Sequence, residues 1–204
     1  MSQQRAIAFR AREQAILNAA EYLLLELGDE SITIEMIAER VGIAKGTIYK
    51  HFQSKDELIL QLLIAYESEL AVTMLEAAKS DDIAQIIQAY FSFRLSAPEK
   101  HLLFERLENK LAATRRTLRP YFARLYFIRK SYLRQMLPFV TRHLAEQNSV
   151  MTARDYLSAG WALVQYAAIL HSSFYQRYLG DREGLLAALL EALLGLGSQP
   201  QAKS

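Results

Sequence analysis

Lys45, Thr47, Lys50 and His51 fall within seven consecutive residues, and the intervening Ile48 and nearby Phe52 stand four apart, one turn of a short helix. Ile43 just before them can pack beneath that apolar pair, so the four polar side chains are read as facing away from it. Ammonium and hydroxyl groups on the outer face of a short helix are what a DNA major groove accommodates. From Arg40 to Lys55 there are four Lys/Arg and no Asp or Glu. The formal net charge of +2 is too small to imply a nucleic-acid partner by itself, so its distribution matters more. Residues 1–12 hold Arg5, Arg10 and Arg12 without an acid, whereas Glu13 to Glu39 holds all seven acids of the first 55 residues. Positive charge is thereby concentrated at the N-terminus and in residues 40–55. Enzyme chemistry has no comparable signal. The chain has no Cys, which excludes a disulfide, a thiol nucleophile and a cysteine-based metal site. It also lacks G-x-S-x-G, H-E-x-x-H and a P-loop, and its one G-x-G is Gly195-Leu196-Gly197 near the C-terminus.

Two short helices and a tight turn must position those side chains. Ile34, Ile37, Ala38 and Val41 have the spacing i, i+3, i+4, i+7 and form one helical stripe. Thr33 precedes them as an N-cap, and Gly42 follows as a left-handed C-terminal residue. The second helix is expected over about 45–52. Ser54-Lys55-Asp56-Glu57 is a capping box that opens a third helix, expected to reach about residue 79. Thr33, at a helix N-terminus, and Lys55, beside another, are placed to bind phosphate. Before all of these, residues 1–9 are read as a mobile arm and 10–27 as a bracing helix with Ile16, Ala19, Ala20, Leu23 and Leu27 inward.

The run IAERVGIAKGTIYKHFQSKDEL, with Ile37-Ala38, Gly42, Gly46-Thr47-Ile48-Tyr49, His51-Phe52 and Lys55 at their offsets, resembles the N-terminal helix-turn-helix of the TetR (tetracycline-repressor) family of transcriptional regulators. The resemblance covers about residues 10–70, with the helix-turn-helix at 33–52. It implies that Lys45 and Gly46 reach base edges and that the hydroxyls of Thr47 and Tyr49 contact phosphate or bases. Lys50 and His51 lie beside the DNA backbone. For Tyr49 the bland reading is an aromatic prop, and for His51 a structural hydrogen bond. Glu35 departs from the family pattern, where a basic or polar base reader is common.

Residues 71–204 read as an all-helical effector-binding and dimerisation domain. There is no alternating strand pattern and no Asn-Gly or Asp-Gly hairpin signal. Helices are expected near 82–96, 98–112, 120–147, 152–178 and 182–197, with a kink at Pro138. The rows Leu185, Leu189, Leu193 and Leu186, Leu190, Leu194 make an apolar face too wide for one neighbour. The resemblance implies a four-helix homodimer interface there, with Leu157, Trp161, Val164, Leu185, Leu189 and Leu193 as its candidate residues and an ordinary intrachain core as the alternative. It also implies a small-molecule pocket between the middle helices, for which Phe91, Phe104, Tyr126, Trp161, Gln165 and Tyr175 are candidates, each with an ordinary core role as the alternative. Arg94, Arg106 and Arg129 are read as solvated surface, with pairing to an anionic effector as the alternative for one that points inward, and His101 with Glu105 as a solvated pair rather than metal ligands.

The fold class is therefore all-α. The expected function is a ligand-responsive regulator, a repressor that releases palindromic double-stranded operator DNA on binding a small, largely apolar effector. The alternative is a helical small-molecule-binding module that does not bind DNA. No cofactor or metal is expected. With no signal-peptide segment and no uninterrupted apolar run of 18 residues, a cytoplasmic protein without a membrane partner is expected.

Overall fold

The computed structural model describes residues 3–113, 116–173, 181–196 and 198, and every regular element among them is helical. The α-helices are α1 Gln3–Leu27, α2 Ile34–Val41, α3 Lys45–Ile48, α4 Lys55–Ala77, α5 Ile83–Ser96, α6 Pro98–Ala112, α7 Arg119–Glu146, α8 Ala153–His171 and α9 Arg182–Gly195. Most boundaries fall where the capping residues put them. Asp82 accepts from Ala84 N–H at 2.9 Å, Thr152 from Asp155 N–H at 3.2 Å, and Asp181 from Gly184 N–H at 2.7 Å, each satisfying a donor that the first turn leaves open. α7 continues through Pro138 as one helix.

Two departures concern the N-terminal end. α1 starts at Gln3, so the expected mobile arm over residues 1–9 is helical from its third residue. No Gly or Pro interrupts the chain before Gly28, and nothing in the sequence stops the helix from extending backward. α3 ends at Ile48 instead of Phe52, because the N–H groups of Lys50 and His51 bond three residues back, at 3.2 and 2.8 Å, and tighten the segment into turns.

The chain divides into two compact units: residues 1–66 with 103–125, and residues 67–102 with 126–204. The expected boundary at 70/71 omitted residues 103–125. In the first unit, Phe104 meets Tyr66 edge-on with ring centroids 5.3 Å apart. Arg106 and Lys110 both reach the Asp29 carboxylate, at 3.0 and 2.6 Å. Those contacts, together with buried Leu107 and Leu111, hold α6 from Phe104 to Leu111 in this unit. Residues Lys55–Ser80 are long and apolar enough to cross a membrane by composition. Leu58, Leu60, Leu62, Leu63 and Leu70 are buried, as a core helix requires.

In the second unit, α5, α8 and α9 pack on one another around Ile87, Phe91, Tyr156, Val164, Leu189 and Leu193. This corrects the expected dimer interface except at Trp161, which is exposed. Val164, Leu189 and Leu193 are buried in the chain's own core, and Leu157 and Leu185 pack against it. Two leucine rows are required because α9 serves both α5 and α8. The outward faces carry Trp161, Tyr166 and Ile169 on α8 and Ala187, Ala188 and Ala192 on α9.

The expected pocket residues do not form one set within a unit either. Phe91 belongs to this core and Phe104 to the first unit, while Tyr126 and Trp161 are exposed. Gln165 is half-buried, with an amide nitrogen that makes no hydrogen bond, and Tyr175 lies outside the described residues.

Candidate nucleic-acid interface

Helix α2 and the turn after it set the geometry. The Thr33 hydroxyl accepts from Met36 N–H at 3.2 Å, so it caps α2 as its position predicts. Gly42, at φ +72°, adopts the left-handed conformation that would strain other residues. Its N–H bonds Glu39 O and the following Ile43 N–H bonds Ala38 O, both at 3.0 Å, closing the helix end with paired bonds. The chain then turns directly into α3. Ile37, Ala38, Ile48 and Phe52 are buried, and this seam fixes α3 against α2.

Above the seam the outer face is exposed. Lys45, Gly46, Tyr49 and Lys50 all reach solvent, and Thr47 is half-buried. A Cβ added at Gly46 meets nothing within 4 Å, and the residue is outside the left-handed region. Nothing within the chain requires glycine at this point, so the bare backbone is available to something approaching from outside. Lys45 forms an ion pair with Glu35, whose carboxyl is held below its ordinary range by the lysine's hydrogen bond. The same ammonium lies 5.9 Å from the Tyr49 ring centroid. Both pair members are more than half exposed, so a competing anion displaces Glu35 at small cost.

Two expected contacts are corrected. The His51 ring is only 3% exposed. It stacks on Phe9 at 4.0 Å between centroids and lies 3.7 Å from Glu13, which makes it a wedge between α1 and the segment after α3. Lys55 points inward, donating to Asp29 O at 2.5 Å and Ile32 O at 2.8 Å. Its ammonium fastens the loop between α1 and α2 to the start of α4, a role that sequence offsets do not reveal. The Ser54 capping box forms nearby: its hydroxyl accepts from Glu57 N–H at 3.1 Å, and the Glu57 carboxylate accepts from Gln53 N–H at 2.8 Å. Replacing Lys55 by alanine is therefore expected to lower stability by about 1.5–3 kcal/mol, the range for hydrogen bonds to a charged group. Chemical denaturation checks this. An unchanged midpoint together with a shallower salt dependence of DNA affinity would return Lys55 to the phosphate-binding set.

A helix-turn-helix with a glycine-bearing, cationic outer face defines the class of helix-turn-helix DNA-binding proteins. Residues 16–62 match the family model described as bacterial regulatory proteins, tetR family. The chain is 42% identical over 52 residues to the uncharacterized HTH-type transcriptional regulator YdeS of Bacillus subtilis, a match covering 26% of each chain. It is 33% identical over 90 residues to the HTH-type transcriptional repressor AcnR of Corynebacterium diphtheriae, covering 44% of this chain and 43% of that protein. The chain thus spans from about a quarter to under half the length of these curated relatives. A crystal structure of a bacterial regulatory protein in the tetR family from Rhodococcus RHA1 shares the fold at a TM-score of 0.74 and 15% identity, covering 93% of this chain and 98% of that one. The match to the tetR family model thus lies in the N-terminal helix-turn-helix region, and the whole chain shares the fold of a protein of that family.

Proposed function

We propose that this protein is a ligand-responsive transcriptional regulator, a repressor that binds palindromic double-stranded operator DNA as a homodimer and releases it on binding a small, largely apolar effector. The observation that carries the DNA-binding part is the exposed face of Lys45, Gly46, Tyr49 and Lys50 over the buried Ile48 and Phe52. Lysine at the start of α3 reaches a guanine edge once it leaves Glu35. The open side of Gly46 admits the DNA backbone or a base edge, and Tyr49 adds a hydroxyl and an aromatic face. Thr33 and Lys50 supply flanking phosphate contacts, and Arg10 and Arg12, both exposed on α1, extend them.

Dimerisation supplies the second half-site, with recognition helices about 34–36 Å apart or more widely spaced on a longer operator. The outward face of α8, with Trp161, Tyr166 and Ile169, and the face of α9 with Ala187, Ala188, Glu191 and Ala192 are the surfaces a second copy would cover. Effector binding then favours a dimer shape whose recognition helices no longer match the operator spacing. This demands different affinities for the two shapes, because a ligand that binds both equally shifts nothing. The AcnR relative is described as a repressor, which supports the sense of regulation. A cytoplasmic site of action follows from such a function.

The test is operator binding by the wild type and by a Lys45→Ala, Tyr49→Ala double variant. A loss on the order of tenfold to a hundredfold is expected for removing base-proximal contacts. Undiminished affinity for every operator sequence selected by the wild type favours the alternative, a helical binding module that does not use this face on DNA.

A further inference from the structure

The second unit holds a set of buried charges that neither the DNA interface nor the apolar core explains. Glu67 on α4 is 2% exposed and Arg94 on α5 is 3% exposed. Arg94 donates to Glu67 Oε1 at 2.9 Å, and Arg129 on α7 donates to the same oxygen at 3.0 Å. The Tyr132 hydroxyl stands 3.4 Å from the other carboxylate oxygen. His101 on α6 is fully buried in the same unit. Burial first, and the Arg94 charge second, push its imidazole down to about 4, so it is neutral near pH 7. Helices α4, α5 and α7 thus converge on one carboxylate. Leu70, Met74, Ile86 and Met136 pack around Tyr132 and give the place an apolar, adaptable wall.

A buried ion cluster is seldom the most stable solution for a core, since apolar residues of similar volume often do as well or better. Buried titratable groups from three helices gathered around one carboxylate make the place a candidate functional site. We propose that this cluster is the effector site and that the effector is a small monocarboxylate with an apolar body; the proposal rests on the ligand-responsive reading above. The incoming carboxylate takes the Arg129 guanidinium over from Glu67, while Glu67 keeps Arg94, and the apolar body lies against Met74 and Met136.

Two observations and one energetic argument select this chemistry. Both guanidiniums converge on a single oxygen, and a second carboxylate offers two further acceptors in the planar arrangement that suits a guanidinium fork. The Arg129 side chain is 29% exposed while Arg94 is 3%, so Arg129 is the member that an entering molecule meets. A cationic effector would have to displace one guanidinium from Glu67 and then sit buried beside both of them.

The experiment uses the full-length protein and a probe panel of benzoate, phenylacetate, octanoate and decanoate, each beside its primary amide, in titration calorimetry and thermal shift. At least one acid is expected to bind, with its amide about tenfold weaker or worse. Arg129→Gln should weaken the acid by a similar factor and leave the amide unchanged; Arg129→Lys should restore part of the loss. The partial exposure of Arg129 makes these variants less disruptive than changes at Arg94, and a melt of each variant without probe checks that it folds. Equal binding of acid and amide, undiminished acid binding by Arg129→Gln, or no binding of any acid overturns the proposal. The two readings fail separately. A neutral compound that releases DNA from Arg129→Gln as from the wild type removes the carboxylate site and keeps the regulator. An acid that binds through Arg129 without altering DNA affinity keeps the site and removes its regulatory role.

Discussion

Replacing Glu67 by alanine is expected to destabilise the protein by about 3–5 kcal/mol, the cost of removing one member of a buried ion pair. The carboxylate accepts from Arg94 and Arg129 and sits beside the Tyr132 hydroxyl. Without it, two guanidiniums face one another with Arg94 almost wholly out of solvent. The pH dependence has a definite sign. Burial works against ionisation of Glu67, but Arg94 and Arg129 more than offset it and hold the carboxyl below its ordinary value of 4.5. A depressed carboxyl stabilises the fold above its unfolded pKa, and that contribution is lost as pH falls through the folded value. His101 acts in the same direction at higher pH. The unfolded chain takes up its proton near 6.5, and the folded one only at about 4, so stability falls as pH drops between them. Thermal melts of wild type and Glu67→Ala from pH 8 to pH 4 measure both effects. A variant melting within about a degree of the wild type at pH 7 would show that the cluster contributes no net stability.

Operator affinity is expected to fall about a thousandfold between 50 and 200 mM salt. In the proposed dimer, two subunits that each place Arg10, Arg12 and Lys50 on phosphate would release about six counterions, and the logarithm of affinity would fall with a slope of about −0.9 per contact. Lys55 is left out of that count because its ammonium is held by the carbonyls of Asp29 and Ile32. Lys50→Ala should flatten the slope by about two, one contact per subunit, and weaken specific and unrelated DNA alike. Fluorescence anisotropy across a salt series reads this directly. A flat dependence in the wild type would mean that the cationic face does not meet the phosphate backbone.

The helix-turn-helix was legible because its signals are local. A threonine cap, a left-handed glycine and an apolar pair four residues apart act within one or two turns, and Thr33, Gly42, Ile48 and Phe52 occupy their expected places. His51 and Lys55 were misplaced because their partners are distant in sequence: Phe9 and Glu13 for the histidine, the loop carbonyls of Asp29 and Ile32 for the lysine. The buried cluster did leave a trace. Glu67 occupies the stripe Leu60, Leu63, Glu67, Leu70, Met74, and Arg94 follows Ile87 and Phe91 at four- and three-residue steps, so each charge stands at a core position of its helix. A charge in an apolar register is a readable signal of a buried partner, although it does not name that partner.

Short-range chemistry in the sequence alone determined the helical class, the positions of most caps, and the cationic segment from Arg40 to Lys55. Tertiary structure decided which apolar faces were consumed internally. α9 has to cover both α5 and α8, so its leucine rows fill the chain's own core, and the face that remains carries Ala187, Ala188, Glu191 and Ala192. It also decided which charges are solvated. Desolvation depends on what the other helices bring to a side chain, and only the packing of α4, α5 and α7 around Glu67 makes Arg94 an interior residue.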